Sequence, residues 1–270
     1  MTWVNTMHQA IDRLDKLPVL RNVSQSAHRQ RFLENTDQNL FMGVYDTFEA
    51  AAASAPPSLH LGYDNEESAN IAYVSAISPR DYPAMFWLLR SLGDGMRTFF
   101  DLGGHTGVKY YAFRRVIGFP PDIRWTVCDV PAVVIRGREL AQARAPEGSL
   151  HFTDRYEDLD GQEVLFASGS LQYLPLTLSD MLKNLRRMPR RIVVNTTPIH
   201  ETRSFFTLNS IGTAFCPYRV QARDAFVESV SSLGYVKRDA WDNLGKGMVI
   251  PDAEGVDVES YSGFCFDLKD

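Results

Sequence analysis

The sequence predicts an α/β fold of the Rossmann-like kind, and three observations carry that expectation. Arg97-Thr-Phe-Phe-Asp-Leu-Gly-Gly-His-Thr-Gly107 reads as a strand, a glycine turn and a helix start. Ile123 to Asp129 reads as the next strand, again ending in a carboxylate, with room for one helix between the two. Further strand-like and helix-like stretches then alternate as far as about Leu233, the pattern of a mainly parallel sheet with helices on its faces.

Residues 1–60 read as an N-terminal helical segment, a cover or dimerisation element, ahead of a main domain over 61–270. Met7 to Leu17 and Ala27 to Leu33 are expected as short helices with Pro18 interrupting between them. Phe41 to Ala53 is expected to open another helix, with Asp46 or Thr47 as its cap and Ala55-Pro-Pro-Ser ending it. Glu66 to Ala76 reads as a helix, then the turn Ser78-Pro-Arg-Asp-Tyr-Pro83, then an apolar helix over Met85 to Leu92. Arg80 in that turn could reach a carboxylate of a cofactor or an acidic substrate, or simply be exposed.

Thr98, Phe99 and Phe100 are β-branched or aromatic and suit a buried strand. Asp101 ends it, and Gly103, Gly104 and Gly107 permit a tight turn with close backbone approach to a ligand. A helix from Val108 to Val116 follows, so its free N–H groups lie at the end of a parallel strand, a place that suits an anionic or polar cofactor group. The glycines do not fit the dinucleotide fingerprint G-x-G-x-x-G, which disfavours a nucleotide-linked oxidoreductase. At the end of the second strand Asp129 can accept hydrogen bonds from both hydroxyls of a cofactor ribose. Val130-Pro131 could supply an apolar edge for its base.

Ala132 to Ala143 is a helix and Ser149 to Thr153 a third strand, followed by Asp154, either an adenine contact or a plain turn residue. Glu163 to Ala167 is a fourth strand running into Ser168-Gly-Ser-Leu-Gln-Tyr-Leu-Pro175, so Ser168, Gly169 and Gln172 fall at a strand's carboxyl end, where such sheets hold their chemistry. Leu178 to Met188 is a helix, and the nearby Arg186, Arg187, Arg190 and Arg191 read as a solvated face at its C-terminus. Arg191 to Thr197 is a fifth strand. Phe205 to Tyr218 is aromatic and irregular, expected as a loop over a substrate pocket. After a helix over Ala222 to Leu233 come strands at Tyr235–Trp241 and Tyr261–Leu268; with no helix between them, they suit an antiparallel pair.

The formal net charge of −5 argues against a large nucleic-acid surface. No stretch approaches the roughly 18 apolar residues that span a bilayer, and the N-terminus lacks signal-peptide regions. Cys128, Cys216 and Cys265 are scattered without metal-ligand spacing, as expected of reduced thiols in a cytoplasmic protein.

The turn at Asp101 resembles the Asp-x-Gly-x-Gly-x-Gly turn of class I S-adenosylmethionine (SAM) methyltransferases, with His105 in place of the middle glycine. Cys-Asp-Val-Pro-Ala-Val-Val resembles an element of small-molecule O-methyltransferases. From about Phe41 onward the chain resembles a methyltransferase family of bacterial exopolysaccharide and O-antigen gene clusters. Phe-Asp-Leu-Gly-Gly-His-Thr-Gly, Ser-Gly-Ser-Leu-Gln-Tyr-Leu, Asn-Thr-Thr-Pro-Ile, Cys-Pro-Tyr-Arg-Val and Tyr-Ser-Gly-Phe carry that resemblance. It implies a class I methyltransferase fold with a seven-stranded sheet and a reversed last strand. It also implies SAM as cofactor, S-adenosylhomocysteine as product, and a small-molecule or glycan acceptor of surface-polysaccharide biosynthesis.

Methyl transfer is an in-line displacement that gains much from alignment alone, and a hydroxyl acceptor also benefits from a base. O-methyltransferases resembling this chain place a histidine after the fourth strand. Gln172 stands there and cannot take a proton, so His200 after the fifth strand is the expected base and His105 a cofactor-loop contact. Gln172 and His105 also suit an alternative, a binding or scaffold protein that kept the fold without turnover. No metal set is evident.

Overall fold

The computed structural model describes residues 18–71, 76–145, 148–251 and 253–269, with side chains from residue 25. The described residues open with α1 (Pro18–Leu33), β1 (Leu40–Tyr45), α2 (Phe48–Ala53), β2 (His60–Leu61) and α3 (Glu66–Ala69). Then come α4 (Tyr82–Gly93), β3 (Thr98–Leu102), α5 (Val108–Phe113), β4 (Arg124–Cys128), α6 (Pro131–Arg144), β5 (Leu150–Thr153) and β6 (Val164–Ser168). The remainder is α7 (Leu178–Lys183), β7 (Arg191–Thr197), β8 (Ile199–His200), β9 (Phe205–Ser210), β10 (Ala214–Ala222), α8 (Arg223–Ser231), β11 (Tyr235–Asn243) and β12 (Tyr261–Leu268).

Seven strands form the main sheet in the order β11-β12-β7-β6-β3-β4-β5. The pairs among β3 to β7 are parallel, whereas β12 runs antiparallel to both β7 and β11. Strand period decides the layers. Phe99, Trp125, Val127, Phe166 and Val193 face one side, where α4, α5 and α6 cover them with Leu88, Phe113 and Val134. Phe100, Leu165, Ile192 and Phe264 face the other, under Leu182 of α7 and Phe226 of α8. Burying each such large side chain contributes about 1.5–3 kcal/mol. Gly263 has a specific task on β12: a Cβ there would stand 2.1 Å from the Trp241 ring, which lies across it.

A second sheet, β1-β9-β10-β2 with β8 also on β10, was not expected. Two predicted elements change accordingly. The stretch before Thr47 is strand β1 rather than helix, although Thr47 does cap α2, its side chain accepting the Ala50 N–H at 3.0 Å. The supposed loop over 205–218 is the β9–β10 hairpin. Pro217 lies inside β10 and lacks an N–H to donate. Because Ile211 N–H donates to the Ala214 carbonyl, the alternating ladder makes Leu208–Pro217 a non-hydrogen-bonded pair, and the missing proline donor falls on the other edge. Residues on both sides of position 60 thus share one sheet.

Smaller differences concern helix ends. The helix expected over Ala27–Leu33 is longer and runs from Pro18 to Leu33. The Met7–Leu17 helix and part of the Glu66–Ala76 helix lie outside the described residues, and α3 itself stops at Ala69. The helix expected to reach Met188 ends at Lys183. Arg191 is not on a solvated face: it is 5 % exposed, bonded to Asp267 at 2.7 Å and Asp94 at 3.2 Å, and stacked 5.2 Å from the Trp87 ring. Removing one partner of such a buried set costs about 3–5 kcal/mol. Among the described residues no helix is long and apolar enough to cross a membrane.

Candidate active site

β3 lies between β4 and β6, so strand order reverses at its carboxyl end, the place where open α/β sheets bind ligands. The predicted glycine turn sits there. Gly103, His105 and Gly107 take positive φ values of 72°, 53° and 87°. His105 therefore keeps the left-handed backbone of the glycine it replaces in the resembling motif. A Cβ on Gly103 would stand 2.2 Å from Ser170 Cβ, and one on Gly104 would stand 2.4 Å from the Asp101 carboxylate. These two glycines are thus required by the protein's own packing.

Asp101 lies beneath the turn, 1 % exposed, where Oδ2 accepts the Trp125 Nε1–H at 3.0 Å. Burial pushes its carboxyl up to about 7; the Asp129 charge adds to that, and the Trp125 bond and Lys109 oppose it. Asp101 supports the turn from below and is closed to solvent. Asp129 follows β4 and is partly exposed. Its Oδ2 accepts the His105 N–H at 2.8 Å and its Oδ1 the Val130 N–H at 2.8 Å. Burial raises its carboxyl to about 6, against those two backbone bonds. The His105 ring is buried, with Nε2 3.1 Å from the Ser68 carbonyl, so α3 tethers the turn from outside. Burial lowers its imidazole pKa, against the bond to the Ser68 carbonyl.

Across the crevice, Ser168 ends β6 and the Gly169 N–H donates to the Asn195 carbonyl at 2.9 Å. Gly169 has φ 74°, and a Cβ there would approach only Gln172 Nε2, at 4.0 Å. Ser170 Oγ donates to the Leu102 carbonyl at 2.5 Å, tying the loop after β6 to the end of β3. Gln172 is 3 % exposed, and its Oε1 has no partner among the described residues. Asp154 is exposed, and it is Asp158 that takes the Thr153 hydroxyl, at 2.6 Å.

His200 is held elsewhere. Its Nδ1 accepts the N–H groups of Thr202 and Arg203 at 3.1 and 3.0 Å, and Nε2 lies 3.2 Å from the Gly255 carbonyl. That pattern suits a tautomer with the proton on Nε2 and the Nδ1 lone pair engaged by the two backbone N–H groups. No described bond joins His200 to Gln172, Asp101 or Asp129.

Four of the quoted phrases, far apart in sequence, meet at the carboxyl edge. The turn that carries Gln172 packs on β10, where the Tyr218 hydroxyl lies 2.8 Å from that of Tyr261 at the start of β12. Ser262 pairs with Thr197, and Asn195 Oδ1 accepts the Trp241 Nε1–H at 2.9 Å. Between Asn195 and Thr197 the β7–β12 register shifts at a bulge, and Thr196 there has φ 54°, a strained value for a β-branched residue. Tyr218, Tyr261, Thr196 and Asn195 were not singled out from sequence; the only signal was their place inside those phrases. Among the described residues no three His, Cys, Asp or Glu side chains could hold a metal ion. A groove of about 810 Å³ contains none of these residues; it reaches Arg124 and Gln162 at the strands' amino ends.

Strand order, the reversed strand and the glycine turn at the order reversal together define a class I methyltransferase fold. No family model and no curated protein matches the chain. Among solved structures it is similar to the 1,6-didemethyltoxoflavin-N1-methyltransferase of Burkholderia thailandensis, with bound 1,6-didemethyltoxoflavin and S-adenosylhomocysteine, at 15% identity over 71% of this chain and 79% of that one, TM-score 0.46. It is also similar to magnesium protoporphyrin IX methyltransferase from Synechocystis PCC 6803 with bound SAM, at 11% identity over 69% and 79%, TM-score 0.45. A third is mitomycin 7-O-methyltransferase, at 15% identity over 83% and 61%, TM-score 0.43. The fold assignment rests on the strand order, not on these likenesses.

Proposed function

We propose that the protein is a SAM-dependent methyltransferase acting on a small polar acceptor. The observation that carries this reading is Asp129, at the end of β4, bonded to the glycine turn where strand order reverses. Its oxygens each accept one backbone N–H and keep lone pairs for ribose hydroxyls. The space above Gly169 would admit a ligand group against the Gln172 amide. The donor set and the cradle therefore fit SAM. The cofactor supplies an activated methyl group on a sulfonium; the chain's part is to hold and align. Asp129 would take the ribose, Val130 the base edge, and Gly169 the close approach. Gln172 would orient the acceptor, and alignment of this kind can contribute roughly 7–11 kcal/mol.

O-methylation of a sugar or related metabolite in surface-polysaccharide biosynthesis is the finer reading, supported by the resemblance of the five phrases. Labelled SAM incubated with the protein and a cell metabolite extract tests both levels, with the labelled product identified by mass spectrometry. A second reading, a binding protein without turnover, is favoured by the engagement of both His200 nitrogens and by Gln172 at the expected base position. Calorimetric binding of S-adenosylhomocysteine with no labelled product from any extract would decide for it.

A further inference from the structure

The segment 62–70 meets the chain just beyond the carboxyl ends of β3 and β4, and it is also tied to the second sheet. Asp64 Oδ1 accepts the Ala132 N–H at 3.0 Å, in the first turn of α6. The Ser68 carbonyl accepts the Nε2–H of His105 at 3.1 Å, and the Tyr63 ring stands edge-on to the same imidazole, 6.0 Å away. Ser68 Oγ lies 3.0 Å from Thr213 Oγ1 in the β9–β10 turn, and the Gly62 N–H donates to the Phe215 carbonyl at 2.8 Å. Within the segment, Asn65 Oδ1 caps α3 by accepting the Ser68 N–H at 2.8 Å, while its Nδ2–H donates to the Gly62 carbonyl at 3.2 Å.

Two of these anchors bracket the carboxylate proposed to hold the ribose. Asp129 accepts the His105 N–H with one oxygen and the Val130 N–H with the other. The segment is bonded to His105 itself and to Ala132, just past Val130. Polar bonds rather than apolar packing hold it there, because α3 is a single turn whose buried side chains are Ser68 and Ala69. A short segment fixed by a few such bonds opens at lower cost than the core of the sheet. His105 is an unusual residue for its place, since φ 53° disfavours a side chain and a glycine would serve the turn. What its side chain adds is the bond to Ser68, which no glycine could make.

We propose that residues 62–70 form a strap that closes one wall of the cofactor crevice, with His105 and Asp64 as the positioning residues that latch it. The strap also links the second sheet to the cofactor site, since its Gly62 and Ser68 are held by the β9–β10 hairpin. A cofactor bound under the closed strap is retained by it and holds it shut in turn, because a ligand favours the form that binds it better. The inference rests on the proposed cofactor site at Asp129 for its ligand and on the strap's own anchors for its geometry.

S-adenosylhomocysteine passed over the immobilised full chain, with its dissociation followed by surface plasmon resonance, tests the strap. Asp64→Ala and His105→Asn should each speed dissociation by about threefold to tenfold, the worth of one hydrogen bond. Asparagine tolerates the left-handed backbone at 105 but is too short to reach the Ser68 carbonyl. Asp64→Asn still offers an oxygen to the Ala132 N–H and should keep the wild-type rate. In wild-type protein the ligand should also slow amide hydrogen exchange over 66–70, and Asp64→Ala should reduce that slowing, an effect that a residue serving only the fold would not have. Asp64 is exposed, so its variants should fold; should His105→Asn fail to fold, they decide. Folded variants with the wild-type dissociation rate would overturn the strap and leave the methyltransferase reading standing. So would Asp64→Asn that dissociates as fast as Asp64→Ala, or exchange over 66–70 that ignores the ligand. Wild-type protein that does not bind S-adenosylhomocysteine would remove that reading and the strap's role with it.

Discussion

The Asp129 carboxylate accepts the backbone N–H of His105 at 2.8 Å, so the turn after β3 and the end of β4 are held as one unit. The same carboxylate is the group proposed to meet the ribose. Asp129→Ala should therefore weaken S-adenosylhomocysteine binding by about 1.5–3 kcal/mol, measured by calorimetry, with the fold retained at a partly open strand end. Unchanged affinity in a folded variant would remove Asp129 from the cofactor site.

Two glycines of the crevice should separate fold from binding. Gly103→Ala meets Ser170 at 2.2 Å and a left-handed backbone, and should lose about 2–4 kcal/mol in urea unfolding. Gly169→Ala meets nothing closer than 4.0 Å and should lose only about 1–2 kcal/mol from its backbone. Its S-adenosylhomocysteine affinity should nevertheless drop, because the new methyl enters the proposed cradle. A Gly169→Ala protein with wild-type affinity would show the cradle to be elsewhere.

Asp101 should make stability fall with rising pH. A carboxyl raised by burial to about 7 binds its proton more tightly in the folded state. Its contribution is full below the ordinary carboxylate value of about 4 and is lost as pH rises through about 7. Asp129, raised to about 6, acts in the same direction over a narrower window. The melting temperature should drop from pH 5 to pH 8, and Asp101→Asn, which can still accept the Trp125 N–H, should flatten that drop. A wild-type melting temperature that rises over this range would contradict the burial of a protonated Asp101.

His200→Ala removes an imidazole engaged by three backbone groups and should cost about 1 kcal/mol of stability, read by chemical denaturation. Turnover should stay within a few-fold and its pH profile should not move. A hundredfold loss of kcat, with an acid limb near the imidazole range in the wild type, would instead make His200 the base.

Thr196 holds φ 54° at the bulge of β7. Asn tolerates this region better than a β-branched residue, so Thr196→Asn should raise stability by about 1 kcal/mol. An unchanged or lower melting temperature would mean that the threonine side chain makes good the strain.

The main sheet was legible because its signals are local. Phe99 and Phe100 alternate across β3, Asp101 and the glycines end it, and the missing helix between β11 and β12 announces the reversed strand. The second sheet was not legible for the opposite reason. β1 pairs with β9, more than half the chain away, and neither strand shows a hydrophobic alternation that its own segment would explain. Pro217 fits inside β10 only through the parity of the hairpin ladder, a property of two strands together.

The same division holds at the site. By itself the sequence determined the strand order's starting point, the glycine turn and the carboxylates of Asp101 and Asp129, since turn chemistry and strand endings depend on neighbours in the chain. Tertiary structure alone decided that Asp101 is buried under the turn while Asp129 stays at the opening. It also engaged both nitrogens of His200 and packed the turn that carries Gln172 against β10, where the Tyr218 hydroxyl meets that of Tyr261. Burial, lone-pair occupancy and charge pairing depend on which distant residues share a few ångströms, and that is set only when the two sheets pack.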